Sequence, residues 1–120
     1  MSDSFHDYVR ELFEGLGGVQ IKRMFGGAGV YANGVMFALL ADEAIYIKTD
    51  DALKAELRKE GCGPFLWTPE KGPRAGETVE MSYWRLPDAA LDEPDSALAW
   101  ARKALAVAKA KAAAKPKRKR

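Results

Sequence analysis

The sequence predicts an α+β fold: an antiparallel sheet, made of a meander plus later strands, flanked by an N-terminal and a C-terminal helix. Apolar residues recur at helical spacing near both ends of the chain, and four short β-favouring runs follow one another between residues 19 and 48. Only tight turns fit between these runs, so neighbouring strands are antiparallel. The chain has 120 residues, 48% of them apolar, which suits one domain with its own core.

The first element is an amphipathic helix predicted over about residues 4 to 16. Six apolar side chains fall at i, i+3, i+4, i+7, i+8 and i+11, which places them on one stripe. They are Phe5, Tyr8, Val9, Leu12, Phe13 and Leu16. Ser4 caps this helix together with Asp7, and the glycine pair Gly17-Gly18 ends it in a left-handed conformation.

A meander of four strands is predicted next, over residues 19–25, 28–32, 35–41 and 44–48. Asn33-Gly34 is the strongest short hairpin signal, because both residues accept the positive φ of a type I′ turn. Asp42-Glu43 offers a second tight connection. The third run is apolar at every position, so we expect it at the centre of the sheet with cover on each side.

The second half of the chain alternates helix and strand. A short helix is predicted over residues 50–60 with Leu53 and Leu57 inward, and strands over 65–68 and 78–86 enclose a polar loop. The last helix begins near Asp92. Its predicted buried stripe consists of Ala97, Leu98, Ala101, Leu105 and Ala108. From Lys109 to Lys115 the sequence favours helix but has nothing large to bury, so we expect this stretch to fray.

Charge divides the chain into an acidic body and a basic tail. Residues 1 to 100 hold 10 basic and 17 acidic side chains, a net of −7, whereas residues 101 to 120 hold 9 basic and no acidic ones. We therefore predict a folded domain over residues 1–108 and a basic disordered tail over 109–120. The cations of the tail are Lys109, Lys111, Lys115, Lys117, Arg118, Lys119 and Arg120. They predict nonspecific contact with DNA, with a solubilising end or a clamp on the acidic body as alternatives.

No pattern of catalytic or metal-binding residues emerges. The turn Gly26 to Gly29 is rich in glycine, but a strand rather than a helix follows it, which argues against a phosphate loop. The single histidine, His6, and the single cysteine, Cys62, belong to no nucleophile motif. We therefore predict no catalytic residues, no metal and no cofactor.

The predicted location is the cytoplasm. No apolar run approaches the roughly 18 residues of a membrane helix, the N-terminus is acidic where a signal peptide is basic, and a single cysteine forms no intrachain disulfide. Methionine and aromatic residues suit either a core or an adaptable partner surface, and we assign Met24-Phe25, Met36-Phe37, Met81 and Trp84 to the core. Surplus apolar surface would imply a homodimer or a partner rather than a monomer.

Two blocks of sequence resemble the N-terminal domain of the TfoX/Sxy family. The first is Arg23-Met-Phe-Gly-Gly-Ala-Gly-Val-Tyr31, followed by Asn33-Gly-Val-Met-Phe-Ala-Leu39. The second is Met81-Ser-Tyr-Trp-Arg-Leu-Pro87 together with Leu98-Ala-Trp-Ala-Arg-Lys-Ala-Leu105. The resemblance covers about residues 5 to 107. It implies an antiparallel sheet flanked by helices, similar to small bacterial secretion-chaperone-like domains.

The same resemblance implies a non-enzymatic bacterial regulator, since long family members are associated with transcription of competence genes alongside a DNA-bound activator. The expected partner is a protein, either transcription machinery or such an activator. Candidate interaction residues lie in the first block: Arg23, Met24, Phe25, Gly26 and Gly27. The alternatives are a standalone nucleic-acid-binding protein acting through the tail, and a small-ligand binder or enzyme at the Gly26 to Gly29 turn. Long members carry a second, C-terminal domain where this sequence has the basic tail.

Because no ligand cluster is apparent, folding is expected to be independent of metal. Addition of a chelator should leave the melting temperature of the protein unchanged, and a calorimetric or circular-dichroism melt measures this. A fall of several degrees in the presence of chelator would contradict the prediction.

Overall fold

The structure, a computed structural model, describes residues 3–24, 27–73 and 75–114. Its α-helices are α1 (Asp3–Leu12), α2 (Asp51–Lys59) and α3 (Pro94–Ala114). Its strands are β1 (Val19–Met24), β2 (Gly27–Ala32), β3 (Val35–Ala41), β4 (Ala44–Lys48), β5 (Pro64–Trp67) and β6 (Val79–Arg85). They form one antiparallel sheet in the order β1-β2-β3-β4-β6-β5. The predicted α+β class and the order of the elements are confirmed.

Both predicted tight turns are present, and Asn33-Gly34 has the positive φ values that its residues indicated. Asn33 and Gly34 have φ values of 54° and 80°, and Ala32 pairs with Val35 across the turn. Asp42 and Glu43 also have positive φ, 50° and 58°, in the connection between β3 and β4. Positive φ at both central residues is typical of a type I′ turn, whose twist matches the right-handed twist of the two strands that it joins.

A β-bulge in β3 buries two successive side chains of this strand. Val30 pairs with Ala38, but the next residue of β2, Tyr31, pairs with Met36, which leaves Phe37 without an opposite partner. Phe37 and Ala38 are consecutive, and both are fully buried. The ring of Phe37 meets that of Phe13 edge-on, with centroids 5.5 Å apart. The bulge therefore places two successive side chains on the buried face.

The hydrophobic core lies between one face of the sheet and the helices. Alternate strand positions are fully or almost fully buried on this face: Ala28, Val30, Ala32, Ala38, Leu40, Ile45, Ile47 and Trp84. Buried side chains from all three described α-helices join the same cluster. The prediction that β3 has cover on each side is wrong, because its opposite face carries only the half-buried Met36 and Leu39. Its central position in the sheet is confirmed.

The helices differ from the predictions mainly at their ends. The first helix stops at Leu12, and a separate 3-10 turn over Glu14–Leu16 brings Gly15 against Leu98 of α3. The last helix continues six residues past Ala108 to Ala114, in line with the helical preference of this stretch, and the domain boundary at residue 108 stays a prediction. Exposed alanines and lysines have enough intrinsic helix propensity to extend a helix that the core already anchors.

The second helix is stabilised by a cap at its start and by side-chain contacts along its length. The carboxylate of Asp50 accepts a hydrogen bond from the Leu53 amide at 2.9 Å, which caps α2. Arg58 lies 5.3 Å from the ring centre of Trp84, and Glu56 pairs with Lys103 of α3. Leu53 and Leu57 are buried as predicted. Among the described residues, no helix is both long and apolar enough to cross a membrane.

The turn conformation at Gly34 gives a direct test of the fold. A Cβ on Gly34 or on Gly63 would meet open space, but only Gly34 has positive φ, at 80°. Gly34→Ala should lower the free energy of unfolding by about 1–2 kcal/mol, because an L-residue is penalised in the left-handed region. Gly63→Ala is the matched control and should not destabilise the protein. Equal denaturant midpoints for both variants would contradict the turn assignment.

Candidate functional site

The sheet face that points away from the helices is the largest candidate site, and we call it the open face. Strand pairing places on it every second residue of the six strands. Its large side chains are Lys22, Met24, Tyr31, Met36, Leu39, Tyr46, Lys48, Phe65, Trp67, Met81, Tyr83 and Arg85. Most of them are half-buried against one another rather than under another element. Met24, Met36 and Met81 therefore lie on this surface, and their assignment to the core is wrong, whereas Trp84 is in the core.

The aromatic side chains of the open face are arranged with cations beside them. The Nζ atom of Lys22 lies 5.0 Å from the ring centre of Tyr31, and that of Lys48 lies 4.9 Å from the ring centre of Tyr83. These are cation–π distances. Lys48 also donates a hydrogen bond of 2.8 Å to the Ser82 hydroxyl. The two lysines therefore hold their positive charges over the face.

The surroundings of Tyr83 on the open face alter the pKa of its hydroxyl. Burial raises the pKa of the Tyr83 hydroxyl above its ordinary value, and the nearby Tyr31 raises it further. These residues belong to β6 and β2, which two other strands separate. A third contact lies beside them, where Tyr46 meets Phe65 at a centroid distance of 5.0 Å.

The sheet is cationic although the body of the protein is acidic. Its six strands contain four cations, Lys22, Arg23, Lys48 and Arg85, and one acid, Glu80. Glu80 lies on the helix side of the sheet, where it pairs with Leu66. Arg23 lies on the same side, because it pairs with the buried Ala28. The strand positions of the open face thus carry three cations and no acid. Residues 1 to 100 as a whole have a net charge of −7.

The predicted interaction residues surround the connection between β1 and β2, where close packing requires glycine. Phe25 and Gly26 lie outside the described residues, and Arg23 is exposed at the end of β1. A Cβ on Gly27 would lie 2.3 Å from the carbonyl oxygen of Leu40. A Cβ on Gly29 would lie 2.9 Å from the methyl group of Met24.

Strand pairing at Gly27 and Gly29 also bears on the alternative of a small-ligand site at the Gly26 to Gly29 turn. Gly27 and Gly29 belong to β2, which pairs with β1 on one side and with β3 on the other. The amides of a paired strand are committed to the sheet, so this part of the turn does not form a cradle for phosphate. The small-ligand alternative at Gly26 to Gly29 therefore loses its basis at the two glycines that the structure describes.

A shallow cleft of about 490 Å³ opens beside β6. Cys62, Arg85 and Asp88 line it, and Arg85 pairs with Asp88 at 3.6 Å. Burial, followed by the charges of Asp88 and Glu60, raises the pKa of the Cys62 thiol, so the thiol stays protonated and is a poor nucleophile. His6 is buried in α1. No group of three or more His, Cys, Asp or Glu side chains in the described part of the chain is placed to hold a metal ion.

The edge strand β5 is a site that the sequence analysis missed. Leu66 and Trp67 are 57% and 49% exposed, and they are the exposed large hydrophobic residues of the described chain. Among the described strands β5 pairs only with β6, so its outer edge has no strand beside it. A tryptophan at the end of a predicted strand, directly before a polar loop, was the available signal.

Two of the predicted nucleic-acid contacts fall within the structure. Lys109 and Lys111 are exposed on the last turns of α3. The other five, from Lys115 to Arg120, lie outside the described residues. The structure therefore leaves nucleic-acid contact by the tail as a prediction.

Gly27 and Gly29 of β2 should differ in their tolerance of an added methyl group. Gly27→Ala should lower the free energy of unfolding by about 1–3 kcal/mol, because the added carbon meets backbone. Gly29→Ala meets the flexible ends of two methionines and should cost less. Chemical denaturation of both variants measures the difference. A Gly27→Ala variant as stable as the unmodified protein would show that this glycine is there for another reason.

Comparison with known protein families found one that matches this chain. The TfoX N-terminal domain matches residues 11–108, which is most of the chain and includes both blocks quoted above. A search among curated proteins found no match. The TfoX N-terminal domain is a competence-related regulatory domain and not a known enzyme family. The chain belongs to the TfoX N-terminal domain family.

Proposed function

We propose that this protein is a non-enzymatic regulatory module that binds a protein partner through the free edge of β5, in the control of transcription. The observation that carries the proposal is the exposure of Leu66 and Trp67 at this edge. Membership of a family of regulatory domains supports a role in binding rather than in catalysis. The protonated Cys62 thiol and the Arg85–Asp88 pair in the cleft supply no activated nucleophile.

The geometry of β5 suits the addition of a further strand. An edge strand presents backbone N–H and C=O groups that an extended peptide can pair with, and side chains on alternate faces then flank the added strand. Leu66 pairs with Glu80 on the helix side, whereas Trp67 pairs with Val79 on the open face. An added strand would therefore meet one large apolar side chain on each face. We propose an extended segment of the partner protein as the occupant.

Trp67 is the residue expected to contribute most to the affinity. Tryptophan is enriched among the residues that dominate protein interfaces, because it buries a large area at a low cost in side-chain entropy. Its 49% exposure leaves about half of its surface to be covered on binding. The polar loop after Thr68 would provide the hydrophilic rim that surrounds such a contact.

The edge can be tested by substitution and hydrogen exchange. Partner proteins captured from the source cell by the full chain should be lost with Leu66→Ser/Trp67→Ser and retained with the control Ala99→Ser/Ala106→Ser, which alters exposed positions on α3. In the purified complex, amide exchange in β5 should slow relative to the free protein.

Two outcomes would contradict the proposal. One is a partner that binds the Leu66→Ser/Trp67→Ser variant as well as the unmodified protein, or that leaves β5 exchange unchanged. The other is a homodimer, seen by sedimentation, that the same substitutions dissociate. That result would make a second copy of this chain the occupant of the edge.

A further inference from the structure

We propose that the open face binds single-stranded nucleic acid, by stacking bases on its tyrosines and pairing phosphates with Lys22 and Lys48. This inference goes beyond the proposed protein contact, which uses the edge of β5. It assigns a ligand to the one large surface of the sheet that the described helices leave uncovered.

Aromatic side chains supply the first argument. Tyr31, Tyr46 and Tyr83 all lie on this face, and Phe65 contacts Tyr46 there. Unpaired bases stack on aromatic side chains that a sheet displays, commonly two or three bases on one sheet face. The strands of Tyr31 and Tyr83 are three steps apart in the sheet, a separation of about 14 Å at the usual spacing. Tyr46 lies on β4 between them, so tyrosines occupy three of the four neighbouring strands from β2 to β6.

Charge supplies the second argument and selects the class of ligand. The ammonium groups of Lys22 and Lys48 lie over the rings of Tyr31 and Tyr83, so each lysine could pair with a phosphate when a base takes its place on the ring. No acidic residue occupies a strand position on this face to repel a polyanion. A neutral apolar partner would gain nothing from these cations, and a second copy of the same face would repel them.

Stacking also separates this site from the tail. A base must be unpaired to stack on a side chain, so the open face should prefer single strands to a duplex. The lysines and arginines after Ala108 contact phosphates without reading bases, and they should bind either form. The net charge of the body predicts repulsion of nucleic acid, but this average hides the cationic strand positions of the open face.

The test measures binding of a labelled oligothymidylate of about ten nucleotides to the full chain by fluorescence anisotropy, with a duplex of equal length as reference. The single strand should bind more tightly than the duplex. Lys22→Gln/Lys48→Gln should weaken single-strand binding about tenfold or more and reduce the slope of log affinity against log salt by about 1.4. The control Lys59→Gln/Arg102→Gln removes the same charge from exposed helix positions and should change neither quantity.

A pair of conservative substitutions tests stacking separately from charge. Tyr31→Phe keeps the ring and should retain single-strand affinity, whereas Tyr31→Leu keeps apolar volume only and should lose several-fold. Melting temperatures of all variants show whether each remains folded. Because Lys48 also bonds Ser82, Lys22→Gln is measured alone, and it should give about half of the change in slope.

Three results would overturn the assignment. The first is equal affinity for single strand and duplex that Lys22→Gln/Lys48→Gln leaves unchanged, which would place all binding in the tail. The second is equal loss of affinity in Tyr31→Phe and Tyr31→Leu, which would exclude stacking. The third is binding of polyglutamate in place of the oligonucleotide with the same sensitivity to Lys22 and Lys48, which would make this face a site for acidic protein segments.

Discussion

Burial of a single sheet face is the constraint on which the rest of this structure depends. Helix α3 approaches that face closely because its buried positions are mostly alanine, namely Ala97, Ala101, Ala104 and Ala108. On β3, which α3 covers together with β4, Ala38 is also small and fully buried. Larger residues would hold helix and sheet apart and open voids between them. Close packing on this side, reinforced by Phe13 against Phe37, lets one layer of helices stabilise the whole sheet.

Local signals predicted most of the fold. A hairpin turn or a helix stripe depends on neighbouring residues alone, which is why Asn33-Gly34 and the first helix could be located before the structure. The number of covered faces of β3 could not be predicted in this way. The expected alternation of buried and exposed side chains along a strand assumes regular pairing with its neighbours. A bulge at Phe37 breaks the alternation, and the bulge depends on the register with β2. An unbroken apolar run therefore indicated two covered faces where the structure has one.

The candidate sites were harder to predict because they depend on which strands are neighbours. Nothing in the sequence near Lys48 indicates that Tyr83 lies beside it, since that contact requires β4 to pair with β6 across 35 residues of chain. The exposed edge at Trp67 likewise depends on β5 being last in the sheet. The glycines of the first block were recognised as structural, but their reason, the closeness of Leu40 and of two methionines, is a three-dimensional one.

The distribution of charge follows from the same separation into layers. Of the 17 acidic residues, only Glu80 lies in a strand, and many of the others stand at helix starts and in turns. Asp50, for example, caps α2, and Asp95 lies in the first turn of α3, where the helix dipole favours negative charge. Requirements of helix formation thus account for acids such as these at helix starts. The cations of β1, β4 and β6 then set the charge of the open face, so the net charge of the chain does not describe the surface that a ligand would meet.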